Sequence, residues 1–325
     1  MIISKTPLRI SLFGGGTDFP EYFKRRKSVM IGGSINKYVY VSLSEFPSSI
    51  SKDNIRLFYK KREFVNSIHS IKHKVIREAL KRNSIYKNIE IHIISNLPSN
   101  TGLGSSSSFS VGLLNCIENY KIKKIEKKKL ALKTIKFERN ILKESVGYQD
   151  QIFASFGGFS KITISKKKQI SVSKYKSAKY IKKIENNLFL VYTGIKRSAQ
   201  KIEIKKINKI NKNLKFLNQI NDISIKADKK IQKQFNPDFI GPYLNKTWHL
   251  KKKLDKKVTS KKIDNLYLKG LKAGASGGKL LGAGAGGFIL FYVPKKNHSK
   301  FIKINKKKII NFNFENEGSR IFKCY

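Results

Sequence analysis

A glycine- and serine-rich segment in the middle of this 325-residue chain is the strongest candidate for binding a ligand. The segment PSNTGLGSSSS at 98–108 joins an apolar strand pattern to an apolar helix pattern. Gly102 and Gly104 permit positive φ, and the free N–H groups at the start of the helix could bind an anion such as phosphate. The serine hydroxyls could bind phosphate oxygens or Mg²⁺, or they could simply cap the helix. No lysine follows the glycines, which excludes a Walker loop.

The opening segment PLRISLFGGGTD at 7–18 carries two further candidates. Arg9 lies in an otherwise apolar strand pattern, where an unpaired charge would cost several kcal/mol. We therefore expect Arg9 to face a bound anion or a carboxylate, although a purely structural ion pair would satisfy it equally. Asp18 follows a glycine turn and could bind the hydroxyls of a polar substrate or cap a short helix.

A second glycine-rich loop occurs late in the chain, as GKLLGAGAGGF at 278–288. Ordering so many small residues is entropically unfavourable, which predicts close packing or the approach of a ligand. A flexible hinge between two lobes is the alternative.

The elements that must position these segments indicate an α+β protein of two lobes. Alternating apolar residues predict strands at 2–12, 29–35, 38–46, 89–94, 187–193 and 288–293, with a hairpin at 157–173. Helical spacing predicts helices at 68–80, 105–120 and 127–142, a mostly helical stretch at 196–271, and a basic helix before two short final strands. A rise in charge near 179–185 places the division between residues 1–182 and 183–325.

Composition excludes several classes of protein. No run approaches the ~18 apolar residues of a membrane span, the opening lacks a signal-peptide pattern, and two cysteines cannot form a disulfide framework. We therefore expect a cytoplasmic protein that does not bind membranes. The formal charge of +48 suggests a nucleic-acid-binding protein. However, only ten of the 69 basic residues are arginine, the side chain that best recognises phosphate and guanine, which argues against specific binding. The excess of Lys with Ile and Asn is typical of an AT-rich coding sequence and predicts no specific nucleic-acid partner.

The three glycine-rich segments, in this order and spacing, resemble the GHMP kinase superfamily, which includes galactokinase, homoserine kinase and mevalonate kinase. The opening GGGTDFPEY, with SVGYQDQIFASFGGF at 145–159, most resembles the heptose 7-phosphate kinase branch. The resemblance implies an N-terminal lobe like ribosomal protein S5 domain 2 and a ferredoxin-like C-terminal lobe. Asn100 and Ala285 stand where this branch often has glycine.

The resemblance also implies roles for individual residues. Asp150 would accept the proton of the attacking hydroxyl, Arg9 would stabilise Asp150 and the developing charge, and Asp18 would contact a sugar hydroxyl. Mg²⁺ would be held by Glu138 and Ser106. The residues that would wrap the ATP phosphates are Gly102, Leu103, Gly104, Ser105, Ser106 and Ser107.

Local sequence leaves alternatives for the two carboxylates. The residues three and four positions from Glu138 are threonine or apolar, so Glu138 is expected on a buried face, where it needs a cation, rather than in a surface ion pair. Asp150 could instead cap the helix that follows it.

The expected activity is an ATP- and Mg²⁺-dependent phosphorylation of the anomeric hydroxyl of D-glycero-D-manno-heptose 7-phosphate. The phosphate of this small-molecule sugar substrate would be bound by Arg197 and Lys279, with Gly284 also in contact with the substrate. The alternatives are a GHMP kinase for fucose, galactose or a non-sugar alcohol, and a basic nucleic-acid-binding protein that has lost catalysis. The oligomeric state is not specified by the sequence.

Overall fold

The computed structural model describes residues 1–47, 49, 52–195 and 210–324. The strands are β1 (Ile2–Phe13), β2 (Ser28–Glu45), β3 (Ile55–Phe58), β4 (Arg62–Val65), β5 (Ile89–Ser95), β6 (Phe159–Ile164), β7 (Ile170–Lys174), β8 (Leu188–Tyr192), β9 (Gly277–Leu280), β10 (Phe288–Tyr292), β11 (Ile309–Ile310) and β12 (Arg320–Lys323). The helices are α1 (Pro20–Phe23), α2 (Lys74–Arg82), α3 (Ser105–Tyr120), α4 (Lys127–Lys136), α5 (Gln149–Phe156), α6 (Ala178–Asn186), α7 (Ile210–Gln232), α8 (Ile240–Leu254), α9 (Lys261–Lys272) and α10 (His298–Asn305). The two kinds of element confirm the α+β class.

The long strand β2 organises the first sheet. Its first half pairs with β6, its second half pairs with β5, and β1 runs antiparallel to most of its length. The sequence predicted two strands here, with a break at residues 36–37. The structure shows instead that Tyr38 pairs with Pro7 and Ile35 with Leu8, so Asn36 and Lys37 form a bulge within one strand.

Helix α3 packs on β1 and β2 and is buried on almost every side from Ser107 to Ile117. Helices α2, α4 and α5 surround it. A helix so enclosed by apolar side chains holds its first turn in a fixed place relative to β1. The first turn of α3 contains the serines that the sequence singled out.

The second sheet has the order β11-β8-β10-β9 and is antiparallel throughout. Helix α8 packs on β9, and α7 packs on both α8 and the first sheet, at β1 and β2. Helices α7 and α8 therefore connect the two sheets. Residues 196–209, part of the stretch predicted to be helical, lie outside the described residues.

The predicted division of the chain does not fall in a linker. Residues 179–185 belong to α6, which is capped by Ser177 and buries Tyr180 and Ile184. The lapse in apolar spacing that the sequence suggested is thus a short amphipathic helix. In addition, β12 pairs with β1, so the last residues return to the first sheet. The division at 182 stays a prediction.

The predicted helix at 127–142 is α4 followed by a π-helical turn, Phe137–Ile141. π turns are rare in proteins, and those that occur often lie at functional sites. Glu138 lies in this turn. Among the described residues, no helix has the length and apolar character needed to cross a bilayer.

Both departures from the glycine pattern adopt left-handed backbone. Asn100 has φ 64° and Ala285 has φ 61°. Asparagine tolerates this conformation, whereas alanine is strained in it by roughly 1–2 kcal/mol. Each of the two loops therefore has a glycine-type backbone conformation at a position occupied by another residue.

Replacing Ala285 by Gly is expected to raise the free energy of unfolding by about 0.5–1 kcal/mol, because relief of strain exceeds the added freedom of the unfolded chain. Ala283, in the same loop, does not have positive φ. Ala283→Gly is the matched control and should lower the free energy of unfolding. Urea denaturation of both variants measures the difference, and an equal loss in both would contradict strain at Ala285.

Candidate active site

A cleft of about 160 Å³ lies where the two sheets approach each other. Its walls come from the end of β1, the 98–108 loop, the first turns of α3 and α5, helices α7 and α8, and the loop after β9. All three glycine-rich segments of the sequence contribute to this one cleft. The sequence therefore predicted the parts that line it, although not helices α7 and α8.

An ion pair between Arg9 and Asp150 stands at the centre of the lining. Arg9 Nε donates to Asp150 Oδ1 at 2.8 Å and Arg9 Nη2 donates to Oδ2 at 2.5 Å. The Arg9 side chain is 5% exposed and that of Asp150 is 25% exposed. Two parallel, charge-assisted hydrogen bonds fix the plane of the carboxylate while leaving part of it open to the cleft.

The same arginine holds the glycine turn. Arg9 Nη1 donates to the carbonyl of Gly102 at 2.6 Å, and the Arg9 amide donates to the carbonyl of Leu103 at 3.0 Å. Arg9 is thus hydrogen-bonded both to Asp150 and to the loop that precedes α3.

The first turn of α3 presents its N–H groups without a side-chain cap. Gly104 is the N-cap residue with φ 74°, and no side-chain hydrogen bond caps the helix. Ser105, Ser106 and Ser107 line the cleft, whereas Ser108 donates to the carbonyl of Pro7. The alternative that these serines cap the helix is therefore wrong. The uncapped amides and the helix dipole form a site suited to an anion.

Glu138 is completely buried beside this turn. Its Oε2 accepts from Ser107 Oγ at 3.1 Å and from Gln151 Nε2, while Oε1 has no hydrogen-bond partner among the described residues. Burial raises the pKa of Glu138 to about 7. The hydroxyl bonded to Glu138 is that of Ser107, whereas Ser106 is exposed, so the role of Ser106 as a magnesium ligand stays a prediction.

Asp18 is also buried, and backbone amides hold it. Its Oδ1 accepts from the Gly16 amide at 3.1 Å and its Oδ2 accepts from the Gln149 amide at 3.2 Å. A Cβ at Gly147 would lie 1.9 Å from Asp18 Oδ2, so only glycine fits there. Burial, and then the nearby charge of Asp150, raises the pKa of Asp18. The predicted cap of α1 is not formed by Asp18, since Phe19 is the N-cap.

Lys279 reaches the cleft from β9. Its ammonium donates to the carbonyl of Leu12 at 2.9 Å, which joins the second sheet to the end of β1. Burial, and then the charge of Arg9, lowers the pKa of Lys279 to about 7. Of its predicted companions, Arg197 lies outside the described residues. Gly284 packs against Val258, and Gly282 and Ala283 are the loop residues that line the cleft.

Sequence reasoning missed several residues of the cleft. Gln151 contacts Glu138, Gln149 flanks Asp150, and Lys251 lines the cleft from α8. Arg139 donates to the carbonyl of Val146 and to Glu21 Oε1, and so holds the loop before α5. The two glutamines on either side of Asp150 could have been identified from the sequence because they adjoin a candidate catalytic residue. Lys251 could not, because nothing in the sequence distinguishes it from the many other lysines.

Comparisons with known proteins agree with this geometry. Residues 69–158 match the N-terminal domain of GHMP kinases. The chain is 28% identical to D-glycero-alpha-D-manno-heptose 7-phosphate kinase of Campylobacter jejuni, and the alignment covers 98% of this chain and 97% of that protein.

Solved structures with the same fold include D-glycero-D-manno-heptose 1-phosphate kinase from Bacteroides thetaiotaomicron, with a TM-score of 0.82, 21% identity and complete coverage of both chains. Lactococcus lactis galactokinase complexed with galactose has a TM-score of 0.74 and 17% identity, over 98% of this chain and 95% of that one. At these identities the two structures show the fold alone, and they confirm the expected two-lobed architecture. The chain is thus similar to GHMP kinases over nearly its whole length and has the N-terminal domain of that family at residues 69–158, and it is a phosphotransferase whose acceptor is a hydroxyl group.

Proposed function

We propose that this kinase transfers the γ-phosphoryl group of MgATP to the anomeric (C1) hydroxyl of D-glycero-D-manno-heptose 7-phosphate. The observation that carries the proposal is the Arg9–Asp150 pair, which lies between an uncapped helix N-terminus and a cleft able to hold an acceptor. The similarity to a heptose 7-phosphate kinase over nearly the whole chain favours this acceptor. We assign the reaction to the cytoplasm, where ATP is available and the two free cysteines stay reduced.

The walls of the cleft suit a sugar. One part is polar, with Asp18 and the backbone of the glycine turn at Gly15 and Gly16. Another part is apolar and comes from Leu217, Ile220 and Leu254. A sugar ring has hydroxyls that need acceptors and C–H groups that need apolar contact, so both kinds of wall would be used.

In the proposed reaction Asp150 accepts the proton of the attacking hydroxyl. Arg9 holds the Asp150 carboxylate in a fixed orientation through its two hydrogen bonds. A weak base suffices, because an anomeric hydroxyl is more acidic than an ordinary alcohol and phosphoryl transfer has a loose transition state. The N–H groups of the first turn of α3 and the hydroxyls of Ser105 and Ser106 would bind the phosphates.

The residues around Glu138 fit a magnesium ion. Glu138 Oε1 and Gln151 Oε1 are buried oxygens without hydrogen-bond partners among the described residues, and the Ser107 hydroxyl is adjacent. Carboxylate, amide and hydroxyl oxygens are the ligands that Mg²⁺ prefers, and a buried carboxylate needs a cation. We propose Glu138 as a ligand, with Ser107 or Ser106 and with Gln151 in support. A bound Mg²⁺ would neutralise charge on the transferred phosphoryl group.

The phosphate already on the sugar needs a cationic site. The named relatives carry it at different positions, as a heptose 7-phosphate in one and a heptose 1-phosphate in the other. Lys279 and Lys251 are the described lysines that line the cleft, and Arg197 remains a candidate from the sequence alone. We propose Lys279 as the principal contact.

Asp150→Asn is expected to lower kcat by about 10²–10⁴-fold, because the amide cannot accept the proton, while the Kd for MgATP stays unchanged. ADP release with a panel of sugars and sugar phosphates measures turnover, and calorimetry measures the Kd. Asp222→Asn, at a half-exposed aspartate outside the cleft, is the control. Full activity of Asp150→Asn would remove Asp150 from the role of base. Salt-dependent RNA binding without affinity for MgATP would favour the nucleic-acid alternative.

Glu138→Gln is expected to stabilise the metal-free protein at pH 8 by about 1–3 kcal/mol, because it removes a buried charge. The pKa of Glu138 is raised in the folded state, so its contribution to stability is lost as pH rises towards about 7. The advantage of the variant should therefore shrink towards pH 5. Glu126→Gln, at an exposed glutamate, is the control. Urea unfolding with and without MgATP tests the metal, since equal stabilisation of wild type and Glu138→Gln by MgATP would argue against a magnesium ligand.

Lys279→Met is expected to raise the KM for the phosphorylated heptose by about 10–100-fold, because an ammonium contact to the phosphate is lost. The KM for ATP and the kcat/KM for the same heptose without its phosphate should change far less. Lys272→Met, at an exposed lysine of α9, is the matched control. A proportional loss with both acceptors would assign Lys279 to the structure of the cleft rather than to phosphate binding.

A further inference from the structure

Two side chains of the cleft, Ser11 and Gln149, carry buried polar atoms that the phosphate-binding turn and the ion pair do not use. Ser11 Oγ and Gln149 Oε1 have no hydrogen-bond partner among the described residues. Ser11 is 5% exposed and lies two residues after Arg9 in β1, whereas Gln149 immediately precedes Asp150. Both residues line the cleft.

The two side chains lie close to one point. A Cβ built on Gly15 would be 3.5 Å from Ser11 Oγ and 3.8 Å from Gln149 Nε2. The amide of Gln149 is bonded to Asp18 Oδ2, which holds this part of the lining together. Glycine at position 15 therefore leaves a small open space that is bordered by a hydroxyl and a carboxamide, and the Asp18 carboxylate lines the same cleft.

Buried polar atoms in folded proteins are nearly always hydrogen-bonded, and exceptions require an explanation. Ser155 and Ser160 also have hydroxyls without a partner in the part of the chain that the structure describes, but neither lines the cleft. Ser11 and Gln149 differ from Ser155 and Ser160 because they line the same cleft as Asp150. A ligand that enters the cleft would reach both of them.

Their chemistry selects the ligand group. A serine hydroxyl and a carboxamide each donate and accept, and Asp18 accepts, so together they can satisfy an alcohol that must do both. We infer that Ser11 and Gln149 recognise the acceptor hydroxyl adjacent to the one that is phosphorylated, which makes them specificity-determining residues. For phosphorylation at C1 this is the hydroxyl at C2. The inference rests on the proposed function, since it takes the acceptor to be a sugar bound beside Asp150.

A deoxy substrate tests the inference. Wild-type enzyme is assayed with D-glycero-D-manno-heptose 7-phosphate and with its 2-deoxy analogue, and a fall in kcat/KM of about 30–100-fold is expected for the analogue. Ser11→Ala and Gln149→Met should each lose activity with the full substrate but little with the analogue. The discrimination should then fall to about fivefold or less.

The control is Ser155→Ala, which removes an unpaired hydroxyl from the same helix as Gln149 without touching the cleft. Its discrimination between the two substrates should equal that of wild type. Thermal unfolding of each variant separates loss of fold from loss of recognition, and Ser11→Ala, the smaller change, keeps the test valid if Gln149→Met unfolds.

The outcomes separate the inference from the proposed function. If wild type does not phosphorylate the heptose 7-phosphate, the proposed function fails, and the deoxy comparison is repeated with whichever sugar of the panel yields ADP. If wild type phosphorylates it but Ser11→Ala and Gln149→Met lose activity equally with both substrates, the inference is overturned. Undiminished discrimination in both variants would overturn it as well.

Discussion

The buried contact of Arg9 with Asp150 is the interaction on which the rest of the cleft depends. An arginine inside a strand must have its charge compensated, and Asp150 does so with two hydrogen bonds while the carbonyl of Gly102 accepts a third. These bonds join β1, the glycine turn before α3 and the start of α5. The positions of the glycine turn and of the carboxylate are therefore set by one side chain, and removing it would leave the Asp150 carboxylate without its cation and the Gly102 carbonyl without this donor.

Other ionisable groups of the cleft are held in unfavourable surroundings. Glu138 is buried with an unpaired oxygen, Lys279 is buried near Arg9, and Asp18 is buried near Asp150. The two sheets alone would be more stable with apolar residues at these places. If the proposed ligands bind there, a cation beside Glu138, an anion beside Lys279 and a hydroxyl beside Asp18 would offset this cost. The proposed function would thus explain why the free protein carries these groups.

Much of this arrangement was predictable from local sequence. Glycine spacing indicated the turn that enters α3, and an arginine in an apolar strand indicated the need for a partner, because these features follow from backbone geometry and from the energetics of buried charge. The hydrogen bond between Ser107 and Glu138 was not predicted, because Glu138 lies in the π turn at Phe137–Ile141, which helical periodicity does not reveal. The contribution of Lys251 depends on how α8 packs between the sheets, which is a long-range property. The sequence predicted two strands separated at residues 36–37 rather than one strand with a bulge for the same reason, since pairing with β1 decides it.

The pairing of β12 with β1 has a consequence for biosynthesis. The strand that carries Arg9 is synthesised before the strands of the second sheet, whereas residues 320–323, its neighbour in the first sheet, are synthesised after them. Contacts between residues so far apart form slowly, and an uncovered strand edge can pair with other chains. One edge of β1 thus stays unpaired until the strands of the second sheet have been synthesised, so the first sheet is completed only after the second sheet is present.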